Sequence, residues 1–270
     1  MQSSEDLVTW TTLPATVTGT GGPAVYVDAG GAGRPARYYR IVASGGGAAG
    51  AAAPLCLAPP SGLVAWWAGD GNASNLLGGL TGALQDGMGF TNDGYAGGAF
   101  HFDGVYDFVR LGDVLNPGSA SFTVNTWFRR TGTAADFRLI SKSRSEGYWL
   151  GGDGRDIAFE VNGGPRVRVT APLPALNEWH HVAGVLDRAG REVRLYLDGT
   201  LYARQGFTTL GDVTTENYLS LGARDRAPGP GSADSFFPGQ MDEAQYFNRA
   251  LTECEVGAIF KAGRAGQCKP

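Results

Sequence analysis

From residue 62 onward, apolar and polar side chains alternate with a period of two. Phe122, Val124, Thr126 and Phe128 alternate with Thr123, Asn125, Trp127 and Arg129, which gives a strand two distinct faces. Ile157, Phe159 and Val161 alternate likewise with Asp156, Ala158 and Glu160, and Val167 and Val169 with Arg166 and Arg168. Between these two runs, Asn162-Gly163-Gly164 reads as a hairpin turn. Faces must match across a strand pair, so the loop is expected to be odd in length. A three-residue loop sets Glu160 opposite Arg166 and Phe159 opposite Val167. A second hairpin is expected over residues 192–197 and 200–204, because Asp198-Gly199 suits the left-handed positions of a type I′ turn. Val193, Leu195 and Leu197 point one way. Trp179, His181, Ala183 and Val185 share a face, which places Trp179 and one histidine in the core, and Phe102, Phe108 and Val109 add to it. One helix is expected near the end: Thr252 and Glu255 form a capping box, Val256, Ile259 and Phe260 an apolar face, and Gly263 a stop. Many strands with one short helix imply an all-β sandwich.

The first 43 residues hold three short β-rich runs, at 7–12, 24–28 and 36–42, split by Gly/Pro turns. Three strands are few for an independent sandwich. Residues 44–60 are almost all Gly, Ala and Pro and read as a flexible linker, since Gly45, Gly46, Gly47 and Gly50 interrupt any helix. Residues 61–270 form the main domain.

Composition narrows the function. The chain has 270 residues, enough to bury a sizeable core without a metal or disulfide. Its 22 basic and 26 acidic residues leave a net charge of −4, which lacks the basic footprint of a nucleic-acid binder. No apolar run is long enough for a membrane helix, and the polar start lacks a secretory apolar stretch. The sequence carries no Gly-x-Ser-x-Gly elbow, Cys-x-x-Cys pair, His-Glu-x-x-His helix or phosphate loop. Asp156 and Glu160 share a strand face, but four residues at ~3.3 Å each separate them by about 13 Å, beyond the roughly 5–10 Å of paired glycosidase carboxylates.

Six segments occur in a telling order: "GLVAWWAGDGNASNLLGG", "AFHFDGVYDFVRL", "SFTVNTWFR", "NEWHHVAGVLD", "REVRLYLDGTLYA" and "GQMDEAQYFNRALTECEV". Together they resemble the laminin-G-like jelly-roll domain of the concanavalin-A-like lectin/glucanase superfamily, over residues 62–268. The resemblance implies a jelly-roll sandwich of two antiparallel sheets with one short C-terminal helix. It leaves function open, since that fold hosts binding modules, adhesion modules and enzymes. The Glu-x-Asp-x-x-Glu strand of family-16 glycoside hydrolases is missing, which argues against an enzyme. Residues 1–43 resemble the C-terminal part of a fibronectin-III-like repeat of large bacterial surface proteins, through Asp6-Leu7 before Trp10, then Asp28, then Arg37-Tyr38-Tyr39-Arg40. The first strands of such a repeat are missing, so a fragment of a longer protein, or a start assigned too late, is expected.

The same resemblance implies a structural calcium on the convex face, with Asp242 as side-chain ligand and Gly104 as a turn-carbonyl donor. Asp70 and Asn72 join them by spacing, because the first and last strands of a jelly roll are neighbours; alternatively they form only an Asx turn. A second, pentraxin-like calcium site would fall near Ser145-Glu146, Arg224-Asp225 and Asp234, where most of its ligands are missing. Glycan binding needs exposed aromatic faces beside polar groups. Tyr148, Trp149, Tyr106, Phe236 and Phe237 are the candidates, with one of Tyr148 and Trp149 in the core and loop packing as the alternative for the phenylalanines. Similar domains begin and end with a cysteine pair, which implies a Cys56–Cys268 disulfide and a buried Cys254 thiol; a Cys254–Cys268 bridge is the rival. The combined expectation is a non-catalytic, calcium-stabilised glycan-binding or adhesion module. It would be secreted or on the cell surface, a monomeric domain of a longer chain, with a glycan or extracellular protein as partner and no membrane insertion. A structural spacer and a carbohydrate-active enzyme are the alternatives.

Overall fold

The computed structural model describes residues 2–4, 11–12, 38–40, 56–226 and 233–270. The chain divides into two compact units, Met1–Ala53 and Pro54–Pro270. In the first, β1 (Gln2–Ser4) pairs antiparallel with β2 (Thr11–Thr12) on one side and β3 (Tyr38–Arg40) on the other. The central strand of this sheet was not expected. The strand expected at 24–28 and residues 44–55 of the linker lie outside the described residues. The fibronectin-III-like reading rests on sequence alone.

The second unit carries, in order, β4 (Leu63–Trp67), β5 (Ala83–Gln85), β6 (Gly89–Thr91), β7 (Ala99–Asp103), β8 (Phe108–Gly112), β9 (Phe122–Arg130), β10 (Asp136–Ser143), β11 (Gly147–Asp153) and β12 (Asp156–Asn162). There follow β13 (Arg166–Pro172), β14 (Trp179–Asp187), β15 (Glu192–Leu197), β16 (Thr200–Gly206), β17 (Leu219–Leu221), β18 (Arg224–Asp225), β19 (Ala233–Asp234), β20 (Pro238–Phe247) and the helix α1 (Glu253–Lys261). A seven-stranded antiparallel sheet has the order β13-β12-β11-β10-β17-β8-β5. Its partner has the order β16-β15-β14-β9-β20-β7-β6, with β4 also on β20. The result is the jelly-roll sandwich that the resemblance implies.

The inward faces of the two sheets meet in one core. Phe100, Phe122, Phe128 and Val182 come from the larger sheet, and Phe137, Leu150, Phe159 and Leu221 from the smaller. The layers approach closely at Gly184, where a Cβ would lie 2.3 Å from the Phe159 ring. A second apolar cluster lies on the outer face of the larger sheet, where Ala183, Val185, Tyr196 and Phe247 meet Val256 and Ile259 of α1. That cluster corrects the expected place of Trp179. The face carrying His181, Ala183 and Val185 looks toward α1, not between the sheets. His181 is fully buried there, while Trp179, at the strand end, is half-buried beneath the Arg129 guanidinium. Phe108 is likewise buried outside the main core, because its neighbour Val109 takes the inward position.

Turn chemistry places the hairpins. Asp198 and Gly199 both have positive φ, 49° and 73°, and Leu197 pairs with Thr200 as a type I′ turn requires. The earlier hairpin has the expected odd loop, but it is Gly163-Gly164-Pro165. The register therefore sets Asn162 opposite Arg166 and Glu160 opposite Arg168. Faces are preserved because the shift is even, and Glu160 still reaches Arg166 at 3.3 Å. The capping box of α1 is formed as expected: Thr252 accepts from the Glu255 amide and the Glu255 carboxylate accepts from the Thr252 amide.

Candidate functional site

Tyr106 stands at the tip of the turn joining β7 to β8, with 62% of its surface exposed. Asp103 locks that turn by accepting the Val105 amide at 2.7 Å and, less closely, those of Tyr106 and Asp107. Asp107 closes it from the other side by accepting the Asp103 amide at 3.1 Å. Burial pushes the Asp107 carboxyl up. Burial also acts on Asp103, but the three amides prevail and hold it below the usual carboxylate range. Gly104, at φ 78°, lets the turn lie against Pro238, where a Cβ would come within 2.6 Å.

The turn builds an aromatic ledge. Tyr106 meets Phe236 edge to face, with ring centroids 5.7 Å apart, and Phe236 lies over Phe108 at 6.2 Å. The Arg110 guanidinium covers Phe108 and Tyr218 at 5.4 and 5.8 Å and is held by Asp225 at 2.5 Å. The ledge thus joins the exposed phenol face to the partly exposed Arg110 guanidinium, which the buried Asp225 anchors from beneath, an aromatic surface beside a charged donor of the kind a sugar ring needs. Phe237 is not part of it. It is fully buried in the core, 5.2 Å from Phe137, where the segment before β20 turns its side chain inward.

Cross-strand pairing links Arg110, Ser220, Ser141, Trp149, Glu160 and Arg168 in one row on the outer face of the smaller sheet. At the usual strand spacing this row spans about 24 Å. Tyr148 points inward and is fully buried, donating its hydroxyl to the Leu115 carbonyl. Trp149 points outward, yet it is only 6% exposed. Arg138 stacks 3.9 Å from its ring centroid and Arg168 lies at 5.4 Å. The guanidiniums occupy the surface that a sugar would need.

The residues expected around calcium are only partly brought together. Asp70 and Asp242 both grip the loop before β7: Asp70 accepts the Gly98 amide at 2.7 Å and Asp242 the Ala96 amide at 2.8 Å. Gly104 lies at the opposite end of β7, a five-residue strand of about 17 Å. Asn72 spends its side chain on the alternative, an Asx turn in which it accepts the Ser74 amide and donates to the Asp70 carbonyl. Asp225 and Asp234, from the second calcium reading, are ion-paired with Arg110 and Arg224.

Sequence reasoning missed two partners at the first of these sites. A bulge in β20 between Asp242 and Gln245 turns Glu243 into a left-handed conformation, φ 54°. Glu243 accepts from the Trp66 indole at 2.7 Å, and Lys269 joins it at 2.8 Å. Burial, then the adjacent Glu243 carboxylate, push the Asp242 carboxyl well up, and burial also raises Glu243.

The Cys56–Cys268 bridge forms, with Cα atoms 4.8 Å apart. This excludes the Cys254–Cys268 rival. Cys254 is free but exposed rather than buried, because it falls on the solvent side of the first turn of α1.

Residues 103–257, more than half of the chain, match the family model of the concanavalin A-like lectin/glucanases superfamily. The chain belongs to that superfamily. No curated protein matches its sequence. Among solved structures, the binding domain of Paraclostridial Mosquitocidal Protein 1 superposes with a TM-score of 0.61 at 14% identity, over 74% of this chain and 52% of that one. The receptor binding domain of botulinum neurotoxin C/D mosaic serotype gives 0.60 at 13% identity, over 74% and 51%. Domain 4 of AbnA, a GH43 extracellular arabinanase from Geobacillus stearothermophilus, solved in complex with arabinotriose, gives 0.58 at 19% identity, over 73% and 97%. This chain therefore spans about half the length of the first two domains and nearly all of the third. At these identities the likeness is one of fold. Within the superfamily's sandwich, the ledge at Tyr106 combines an exposed aromatic face with polar neighbours.

Proposed function

We propose that the second unit is an exported glycan-binding module that holds its ligand at Tyr106 and Phe236 without cleaving it. The observation that carries this reading is the locked turn that presents Tyr106 against Phe236, with the partly exposed Arg110 guanidinium on the neighbouring Phe108. A pre-formed aromatic platform loses little entropy on binding. The AbnA domain, solved with arabinotriose, shares the fold and lends weight to a glycan ligand. Export is favoured by the Cys56–Cys268 bridge, since disulfides persist in oxidising compartments. The non-catalytic reading is favoured by the ion pairing of the outer-face carboxylates: Asp225 with Arg110, Asp136 with Arg138, Glu160 with Arg166 and Arg168. A glycosidase needs one carboxyl free to donate a proton and another free to attack or activate water.

A glycan array probed with the whole chain tests the proposal. Tyr106→Ala is expected to weaken binding by at least about tenfold, the loss of one stacked aromatic contact, with the melting temperature unchanged because the side chain is exposed. A chain that binds no glycan, or a Tyr106→Ala variant that binds as the wild type does, overturns it.

A further inference from the structure

Lys269 occupies the place where the fold family implies a cation. Its ammonium lies 2.6 Å from Asp70 Oδ2, 2.8 Å from Glu243 Oε1 and 3.2 Å from the Ala96 carbonyl oxygen. The contacts with Asp70 and Ala96 are aligned hydrogen bonds, and the one with Glu243 is an ion pair. Two of the three ammonium hydrogens are thus placed on acceptors, and the Glu243 carboxylate faces the charge. Burial opposes the charged form of Lys269, but Glu243 and Asp70 prevail and hold its pKa above the ordinary lysine value.

The donor set does not fit a calcium ion, which needs six to eight oxygens. Asp70 Oδ1 and Asp242 Oδ2 are taken by backbone amides, and Glu243 Oε2 by the Trp66 indole. Asp70 Oδ2 and Glu243 Oε1 face the ammonium. Asp242 Oδ1 and Glu243 Oε1 are both buried and accept no hydrogen bond, and of the two Glu243 Oε1 is ion-paired with Lys269. Among the described residues, no three His, Cys, Asp or Glu side chains converge as metal ligands. Lys269 is also delivered firmly. It follows Cys268, whose disulfide to Cys56 is flanked by backbone hydrogen bonds from Leu57 to Gly266 and from Cys268 to Leu57, at 3.0 and 2.8 Å.

We infer that Lys269 is the built-in counter-cation at the seam between the first and last strands, where its tethered ammonium stands in place of a divalent metal ion that these residues do not fit. Tethering explains how one monovalent group serves there. The cation is covalently part of the chain and loses no translational freedom on docking.

Thermal unfolding in EDTA and in excess calcium, with terbium luminescence sensitised by Trp66, tests this on the whole chain. The wild type is expected to melt at the same temperature with and without calcium and to give no sensitised terbium emission. Lys269→Met keeps most of the side-chain stem and loses the charge. It is expected to melt roughly 4–8 °C lower, by the same amount in EDTA and in calcium, and to give no sensitised terbium emission. Should Lys269→Met not fold, the wild type by itself carries the test, through its melting temperature in calcium and in EDTA and its terbium emission. A wild type that calcium stabilises or that sensitises terbium overturns the inference, as does a Lys269→Met variant that melts as the wild type does or that calcium restores.

Discussion

His181 is buried on every side beneath α1, its ring 5.3 Å from Trp127 and 6.4 Å from Phe260. Its Nε2 lies 3.3 Å from Asn125 Oδ1, and its Nδ1 has no partner. Burial lowers its pKa from 6.5 to about 4, against a weaker opposing pull from Asp198. The folded protein therefore refuses a proton that the unfolded chain accepts between those values. Stability from this group is full above pH 6.5 and falls as pH drops toward 4, by up to about 3 kcal/mol. Denaturant melts of the wild type and His181→Phe across that window should show the difference; equal pH slopes would exclude His181 as the source. Single residues were legible in the sequence only as far as face, not cover. The strand pair Tyr148-Trp149 had to divide between inside and outside, and it does, whereas Phe236 and Phe237, in a loop, follow no such rule. Nothing local announced that Arg138 would lie on Trp149, because that contact crosses from one strand to the next.

Among the elements, β20 organises the most. It pairs with β9 on one side, and on the other with β7 along its first half and β4 along its second. Its bulge turns Glu243 toward the seam, a left-handed conformation that costs roughly 1–3 kcal/mol in a residue with a side chain. The family resemblance marked the segment that forms β20 but hid the bulge, since a regular strand would send Glu243 to the face opposite Asp242. The β12–β13 hairpin shows a smaller limit. Parity fixed which faces meet, but three consecutive turn-formers left the centre of the loop one residue away from its expected place. Sheet spacing is set where β14 passes over β12, at Gly184. Gly184→Ala drives a methyl into the Phe159 ring and is expected to cost about 1–3 kcal/mol in urea unfolding. Combining it with Phe159→Leu should restore part of that loss. An unchanged urea midpoint for the single variant would show that the layers are not in contact there.

For the molecule as a whole, the ordered motifs of residues 62–268 made the jelly roll legible, and the cysteine spacing made its closure legible through family resemblance. The Lys269–Asp70 pairing was not legible, because it joins residues 199 positions apart through a side chain that carries no periodicity. The bridge between Cys56 and Cys268 spans 212 residues. In the chain-entropy model, a closed loop of that size is worth roughly 5 kcal/mol. It also has a mechanical consequence. A pull applied through the segments flanking the bridge enters at Cys56 and leaves at Cys268, 4.8 Å away, without passing through any strand of the sandwich. The covalent link bears the load and the folded domain hangs beside it. Stretching the chain by atomic force microscopy should show no extension from the 212-residue loop until a reductant opens the bridge; extension without reductant would mean that tension runs through the sheets. A domain clamped in this way keeps both sheets and the ledge at Tyr106 intact at forces that would unravel an open sandwich.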